Sequence, residues 1–293
     1  MPRIAVCGAT GRTGRRLIAH LLSAGRDVVA IGRDPVELER FAPEVPRRRA
    51  AMDDPIALKS ALADAEVVVS CVPPRYVPAL IAAAPAGLQR LVVMGSTRKF
   101  TRFGDALAAD VVAAEAALSA SGLPHVMLHP TLIYGTGEDS SLQRVLAYLR
   151  RVPVLPLPGG GGLVQPIHVD DVVRALEAAI LVENPPKDAI VIAGPAPMSY
   201  ASMIRELARS RGLKALIVSI PLAPLLLLAR MTRFLPGLPS IQPEEVRRLV
   251  EDKSFDISQM RERLGVAPMS FAEGLRLSAE RSEARVLPQA AGG

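Results

Sequence analysis

The chain has no tryptophan, and with 4 tyrosines and 6 phenylalanines its aromatic share is only 3% of 293 residues. A surface that stacks nucleic-acid bases needs such rings, and this sequence has little to build one from. Positive charge is in excess, at a net +6, but it is scattered singly; Arg47-Arg48-Arg49 is the one dense run. No nucleic-acid partner is therefore expected, and the basic balance suits an anionic cofactor or substrate. Cysteine is also scarce. Cys7 and Cys71 are too few for a disulfide framework, and each ends an apolar run where a reduced thiol behaves as a small hydrophobe, which points to a cytoplasmic location. The first apolar run starts directly after Pro2 and Arg3, so no secretory signal is expected. The four histidines, His20, His125, His129 and His168, show no paired spacing with cysteine or carboxylate. His125 and His129 share a strand face but stand too far apart for one zinc, and no metal is expected. No Gly-x-Ser-x-Gly elbow is present, which removes the signature of a serine hydrolase.

What the chain does have is alternation. Short apolar runs at Arg3–Cys7, Asp27–Ile31, Glu66–Cys71 and Leu91–Met94 alternate with helical patterns at Arg15–Ala24 and Ala57–Ala63. This order reads as βαβ units, hence an α/β fold with a parallel sheet. The strands are almost continuous in Val, Ile, Leu and Ala, as expected where helices cover both faces. A long Ala-rich helix is expected over Gly104–Ser121, stopped by Gly122 and Pro124, with another strand at His125–His129. These elements place a first domain at residues 1–150. A smaller, mostly helical substrate-side region follows at 151–293, interleaved with the first.

In that second region the Pro- and Gly-rich stretch Val152–Gly162 reads as a functional surface loop. A strand is expected at Leu163–His168 and a helix at Asp170–Leu181, with Asp170 as its N-cap. A further short strand is expected near Leu216–Ser219. The segment Leu216–Met231 is the most hydrophobic of the chain, but its prolines and its length fall short of the roughly 20 apolar residues of a membrane span. It reads as a strand followed by a buried helix; the alternative is a surface for an apolar substrate, a partner or a membrane interface, which would make the protein peripheral to a membrane.

Gly8-Ala-Thr-Gly11-Arg-Thr-Gly14 follows a strand and opens a helix, the context in which a glycine motif binds a dinucleotide pyrophosphate. Gly8 permits the tight turn, Gly11 lets backbone approach phosphate, and Gly14 lets the helix pack on the strand. Backbone N–H groups at the helix start then face the negative charge. Thr10, Arg12 and Thr13 complete the turn and count with the glycines as cofactor contacts. An acid at the end of the second strand would favour NAD, yet that end reads Ala30-Ile31-Gly32-Arg33 and no acid comes before Asp34. Arg33 and Arg12 suit a 2′-phosphate through charge-assisted bonds, so NADP is expected over NAD; the alternative is that both arginines are only solvated surface.

The glycine spacing, the arginine after strand two, Ser96-Thr97 after Leu91–Met94, the run Ser121–Gly135 and Gln165-Pro-Ile-His-Val-Asp-Asp171 together resemble the atypical and extended short-chain dehydrogenase/reductase superfamily. The resemblance is to its NAD-dependent epimerase/dehydratase-like branch, near NmrA-like proteins and the complex I accessory-subunit group, and it covers most of the chain. It implies a Rossmann-type, doubly wound sheet and an NAD(P)-dependent oxidoreductase or epimerase-like enzyme acting on a small molecule. It also implies that Val72 and Pro73 line the cofactor ribose, that Pro130 and the Thr131–Ile133 stretch sit by the nicotinamide, and that Thr97 or Ser96 bonds the substrate oxygen. His168, Asp170 and Asp171 match a substrate-side motif and are expected to be mainly structural.

Two departures stand against full family chemistry. The family's Tyr-x-x-x-Lys pair would fall at Leu107 and Val111, and Ala51 stands where an adenine-contacting aspartate would be. Lys99, Tyr76 and Tyr134 are the nearest replacements, each more simply read as exposed or packed. The sequence thus admits an enzyme of atypical mechanism, or a protein that holds NAD(P) without turnover as a sensor or a subunit of a larger respiratory-type or quinone-related assembly.

Overall fold

A computed structural model describes residues 2–41, 43–136, 140–159, 162–186, 188–226 and 243–286. Its centre is a sheet of 7 parallel strands: β1 (Ile4–Cys7), β2 (Val28–Gly32), β3 (Arg47–Arg49), β4 (Val67–Ser70), β5 (Arg90–Met94), β6 (His125–Pro130) and β11 (Ile190–Ile192), in the order β11-β6-β5-β4-β1-β2-β3. β-branched runs such as Val67-Val68-Val69 are buried on both faces, which is why these strands show no polar alternation. Helices α1 (Arg12–Ser23) and α7 (Val169–Leu181) cover one face, inserting Leu17, Ile18, Leu21, Val172 and Leu176. The other face takes α3 (Pro55–Leu62), α4 (Val77–Ala82) and α5 (Ala106–Ser121) through Leu58, Leu62, Leu80, Val111 and Leu118. Strand order reverses between β1 and β4, so a crevice opens at the carboxyl ends of those two strands.

The second region is tied to this sheet: β11 is its edge strand and α7 packs on α1. Its own core joins α6 (Ser140–Leu149), α8 (Tyr200–Arg209) and the helix Phe271–Val286, through Leu146, Ile204 and Phe271.

Several expectations are corrected. The stretch read as a loop contains β8 (Val154–Pro158), which pairs in parallel with β13 (Leu216–Ile220) from Leu216↔Val154 to Ile220↔Pro158. Proline fits a strand that, among the described residues, pairs on one side, because its missing N–H can face away from the ladder. Gly160 and Gly161 lie outside the described residues. The single strand expected at Leu163–His168 is two, β9 (Leu163–Val164) and β10 (Ile167–His168), broken at Gln165-Pro166; β9 pairs with β12 (Met198–Ser199) and β10 with β7 (Ile133–Tyr134). The N-cap of α7 is His168 rather than Asp170: its Nδ1 accepts the Asp170 N–H at 3.2 Å. Strand β13 forms as expected but is not buried, with Leu216 61% exposed. The helix after it is described over 222–226, and 227–231 lie outside the described residues. Among the described residues no helix is long and apolar enough to cross a membrane.

Candidate functional site

The glycine turn hangs from the end of β2, whose Ile31 carbonyl accepts both the Gly8 and Ala9 N–H groups at 3.1 Å. Gly8 has φ +79°, a left-handed conformation, and a Cβ there would come within 2.9 Å of Val72 Cγ1. A Cβ on Gly14 would overlap the Gly8 carbonyl oxygen and lie 2.9 Å from its carbon, so helix start and turn are in backbone contact. Gly11 is the N-cap of α1; it offers no side-chain acceptor, and the first turn carries no acid. The positive helix end is thereby left for an external anion, which fits a dinucleotide pyrophosphate. Thr13 is buried beneath this turn, and the Thr10 carbonyl accepts Arg15 Nε at 2.8 Å.

Arg12 and Arg33 are both exposed at the rim of the turn. Arg15, one turn further along α1, is paired with Glu37. Asp34, the first acid after β2, accepts Val36 N at 3.0 Å and Glu37 N at 3.3 Å and so caps α2 (Pro35–Leu38). It is committed to the backbone rather than to a ribose. Val72 and Pro73 follow β4 on the other side of the crevice, Val72 against Gly8 and Pro73 exposed ahead of the turn Pro74–Tyr76.

Past β5 the chain makes a short 3-10 turn, Thr97–Phe100, whose N-cap is Ser96. The Ser96 Oγ accepts Arg98 N–H at 3.1 Å, while Thr97 Oγ1 donates to the Pro130 carbonyl at 3.1 Å. Ser96, Thr97 and Pro130 therefore meet at the carboxyl ends of β5 and β6. In α5, Leu107 is 44% exposed and Val111 buried in the core. The helix contains neither tyrosine nor lysine.

Beside Ser96 lies a group of side chains whose clustering no sequence pattern announced. His129, on β6 and 1% exposed, accepts the Ser96 N–H through Nδ1 at 3.1 Å. Its Nε2 is buried without a hydrogen-bond partner and points at Glu115 Oε2 of α5, 3.8 Å away. Glu115 is itself paired with Lys99. Burial pushes the His129 pKa down to about 4, the Lys99 charge adding to this and Glu115 opposing it, so the ring is neutral near pH 7. The one sequence trace of this arrangement is Gly95, where a Cβ would sit 2.5 Å from His129 Nδ1.

The other candidates go elsewhere. Tyr134 is buried; its hydroxyl donates to the Ser270 or Phe271 carbonyl at 3.3 Å, and a Cβ on Gly274 would overlap it. Tyr76 takes an Arg75 N–H at 3.4 Å. His168 Nε2 meets Ser278 Oγ at 3.1 Å, Asp170 binds Arg16 at 2.8 Å and Arg281 at 2.7 Å, and buried Asp171 accepts Met269 N at 2.9 Å. These three residues fasten the C-terminal segment to the sheet. Burial raises the pKa of both Cys7 and Cys71 to about 12, so both are unreactive thiols near pH 7.

Residues 8–147 match the protein family described as NAD(P)H-binding. Three solved structures share the fold over almost the whole chain. An Escherichia coli NADPH-dependent quinone oxidoreductase complexed with NADPH is 21% identical, with TM-score 0.71, covering 94% of this chain and 99% of its own. A short-chain dehydrogenase/reductase superfamily protein from Agrobacterium tumefaciens with bound NAD is 15% identical, with TM-score 0.70 and coverages of 97% and 98%. UDP-glucose 4-epimerase of Thermotoga maritima is 16% identical, with TM-score 0.72 and coverages of 97% and 100%. The chain thus shares its Rossmann-type α/β fold with these structures. Curated relatives, uncharacterized proteins of Mycobacterium tuberculosis and Mycobacterium bovis, are 29% identical over 288 residues. The match takes in 92% of this chain, and the chain spans about 29% of the length of those relatives.

Proposed function

We propose that the protein is an NADPH-dependent oxidoreductase of atypical mechanism, acting on the oxygen of a carbonyl or quinone substrate. When bound, the cofactor supplies the hydride. The N–H groups around Gly8, Gly11 and Gly14 hold its pyrophosphate, and Arg33 with Arg12 binds the 2′-phosphate that distinguishes NADP from NAD. Thr10 and Thr13 support the turn, Val72 and Pro73 line the ribose, and Pro130 walls the nicotinamide end.

The observation that carries the catalytic reading is the difference between two adjacent hydroxyls. Thr97 Oγ1 already donates its hydrogen bond to the Pro130 carbonyl, whereas Ser96 Oγ accepts from a backbone N–H and, among the described residues, has its own O–H left to donate. Ser96 is thus the residue that bonds and polarises the substrate oxygen, and Thr97 fixes the backbone beside it. The structural neighbours hold either nucleotide, NADPH in the Escherichia coli protein and NAD in the Agrobacterium tumefaciens one, so the choice of NADPH rests on the arginines and not on them.

A second reading, a protein that holds the nucleotide without turnover, is favoured by one observation: α5 has no tyrosine or lysine to move a proton. Purified protein mixed with NADPH or NADH and a panel of carbonyls and quinones separates the two. Binding with consumption of NADPH, lost in Ser96→Ala, supports the enzyme. Tight binding with no consumption across the panel favours the holder.

A further inference from the structure

The His129 imidazole is the most deeply buried ionisable group near Ser96, and its two nitrogens are treated differently by their surroundings. Nδ1 faces a backbone donor, Ser96 N–H at 3.1 Å, so a lone pair must stand there. Nε2 faces the Glu115 carboxylate at 3.8 Å, so a proton belongs there. Both demands select the same neutral tautomer. The ring cannot drift from this position: the Gly95 backbone lies where a Cβ would be 2.5 Å from Nδ1, and the Phe100 ring meets its edge with centroids 6.2 Å apart. The charged groups facing it are Glu115 from α5 and Lys99 from the 3-10 turn, themselves an ion pair.

Resting on the reading of Ser96 as the hydroxyl donor, we propose that His129 is a positioning residue: its Nδ1 holds the Ser96 N–H and so aims the Ser96 hydroxyl, with the Glu115 carboxylate, 3.8 Å away, favouring the ring proton on Nε2. The chain thus fixes its hydroxyl donor from the sheet side, through a histidine on β6, with α5 contributing a carboxylate rather than a tyrosine. His129 touches no substrate in this scheme. Its effect passes through one hydrogen bond, and a misplacement of about 1 Å in a reacting group lowers turnover by up to about a hundredfold.

The test uses the full chain with NADPH and 1,4-benzoquinone as probes, and 15N NMR of the cofactor-free protein. Asn places an acceptor oxygen near the position of Nδ1, whereas Leu fills similar space and accepts nothing. His129→Leu is expected to lower kcat about tenfold to a hundredfold with the NADPH Kd within twofold, and His129→Asn to recover most of it. The ring is expected to show a protonated Nε2 and a bare Nδ1 at pH 7, and the Ser96 amide resonance to move in His129→Leu but return towards wild type in His129→Asn. A proton on Nδ1, or a Ser96 amide indifferent to the Leu substitution, overturns the proposal whether or not the quinone is reduced. Loss of turnover in Ser96→Ala with none in His129→Leu overturns it while leaving Ser96 as donor. No loss in Ser96→Ala overturns the Ser96 reading itself.

Discussion

Gly14→Ala places one methyl group at the closest backbone approach in the glycine turn. Its Cβ would overlap the Gly8 carbonyl oxygen and lie 2.9 Å from the Gly8 carbon, both backbone atoms that cannot swing aside as a side chain would. Restoring ordinary van der Waals distance moves the start of α1 by on the order of 1 Å. Overpacking of this kind costs about 1–3 kcal/mol, offset by about 1 kcal/mol because alanine favours a helix over glycine. The fold therefore survives, with a net loss of about 2 kcal/mol at most. Binding should suffer more. On the proposed placement of the cofactor, the displaced N–H groups at the helix start would make charge-assisted bonds to pyrophosphate worth about 1.5–3 kcal/mol each, so weakening one or two is expected to raise the NADPH Kd about tenfold to a thousandfold. Fluorescence titration of NADPH measures the Kd, and urea denaturation measures the stability. Gly104→Ala is the control, since a Cβ there meets nothing within 4 Å and Gly104 lies outside the turn. A Gly14→Ala protein that binds NADPH within twofold of wild type refutes the placement of pyrophosphate on this turn.

Three further outcomes are expected. Arg33→Ala should weaken NADPH by tenfold or more and NADH by less than twofold, one charge-assisted bond to the 2′-phosphate being worth about 1.5–3 kcal/mol; equal losses by calorimetry would remove the 2′-phosphate assignment. His129 has its folded pKa depressed from 6.5 to about 4, so the unfolded chain takes up the proton first as pH falls. This residue therefore subtracts stability progressively between pH 6.5 and about 4, reaching about 3 kcal/mol. Urea denaturation across that range should show a shallower acid-side loss in His129→Asn, and an unchanged slope would contradict the buried neutral ring. Asp171, fully buried and accepting Met269 N, should cost about 2–4 kcal/mol on replacement by Ala while NADPH affinity stays within twofold. A selective loss of affinity without a loss of stability would instead put Asp171 in the binding machinery.

The parallel sheet was readable because Val67-Val68-Val69 and its counterparts are apolar at every position, a pattern that only a strand buried on both faces needs. Strand β3 was not, since Arg47-Arg48-Arg49 is an edge strand whose hydrogen bonds to β2 do not depend on side-chain hydrophobicity. Pro156 and Pro158 likewise disguised β8 as a loop, because the sequence does not reveal that, among the described residues, its ladder pairs on one side. Asp170 looked like the helix cap; the choice of His168 depends on which side chain the adjoining β10 aims at the first turn.

Local sequence determined the glycine turn: three glycines between a strand and a helix are set by sterics within seven residues of chain, and the absence of tyrosine and lysine at Leu107 and Val111 is equally plain. Only the tertiary structure decided what stands near them. Ser96 and Lys99 come from the segment after β5, Glu115 from α5 and His129 from β6, and they meet because the sheet order sets β6 beside β5 with α5 packed across them. Side chains this far apart in sequence carry no mutual pattern, since their spacing is fixed by strand pairing and helix packing rather than by any local period.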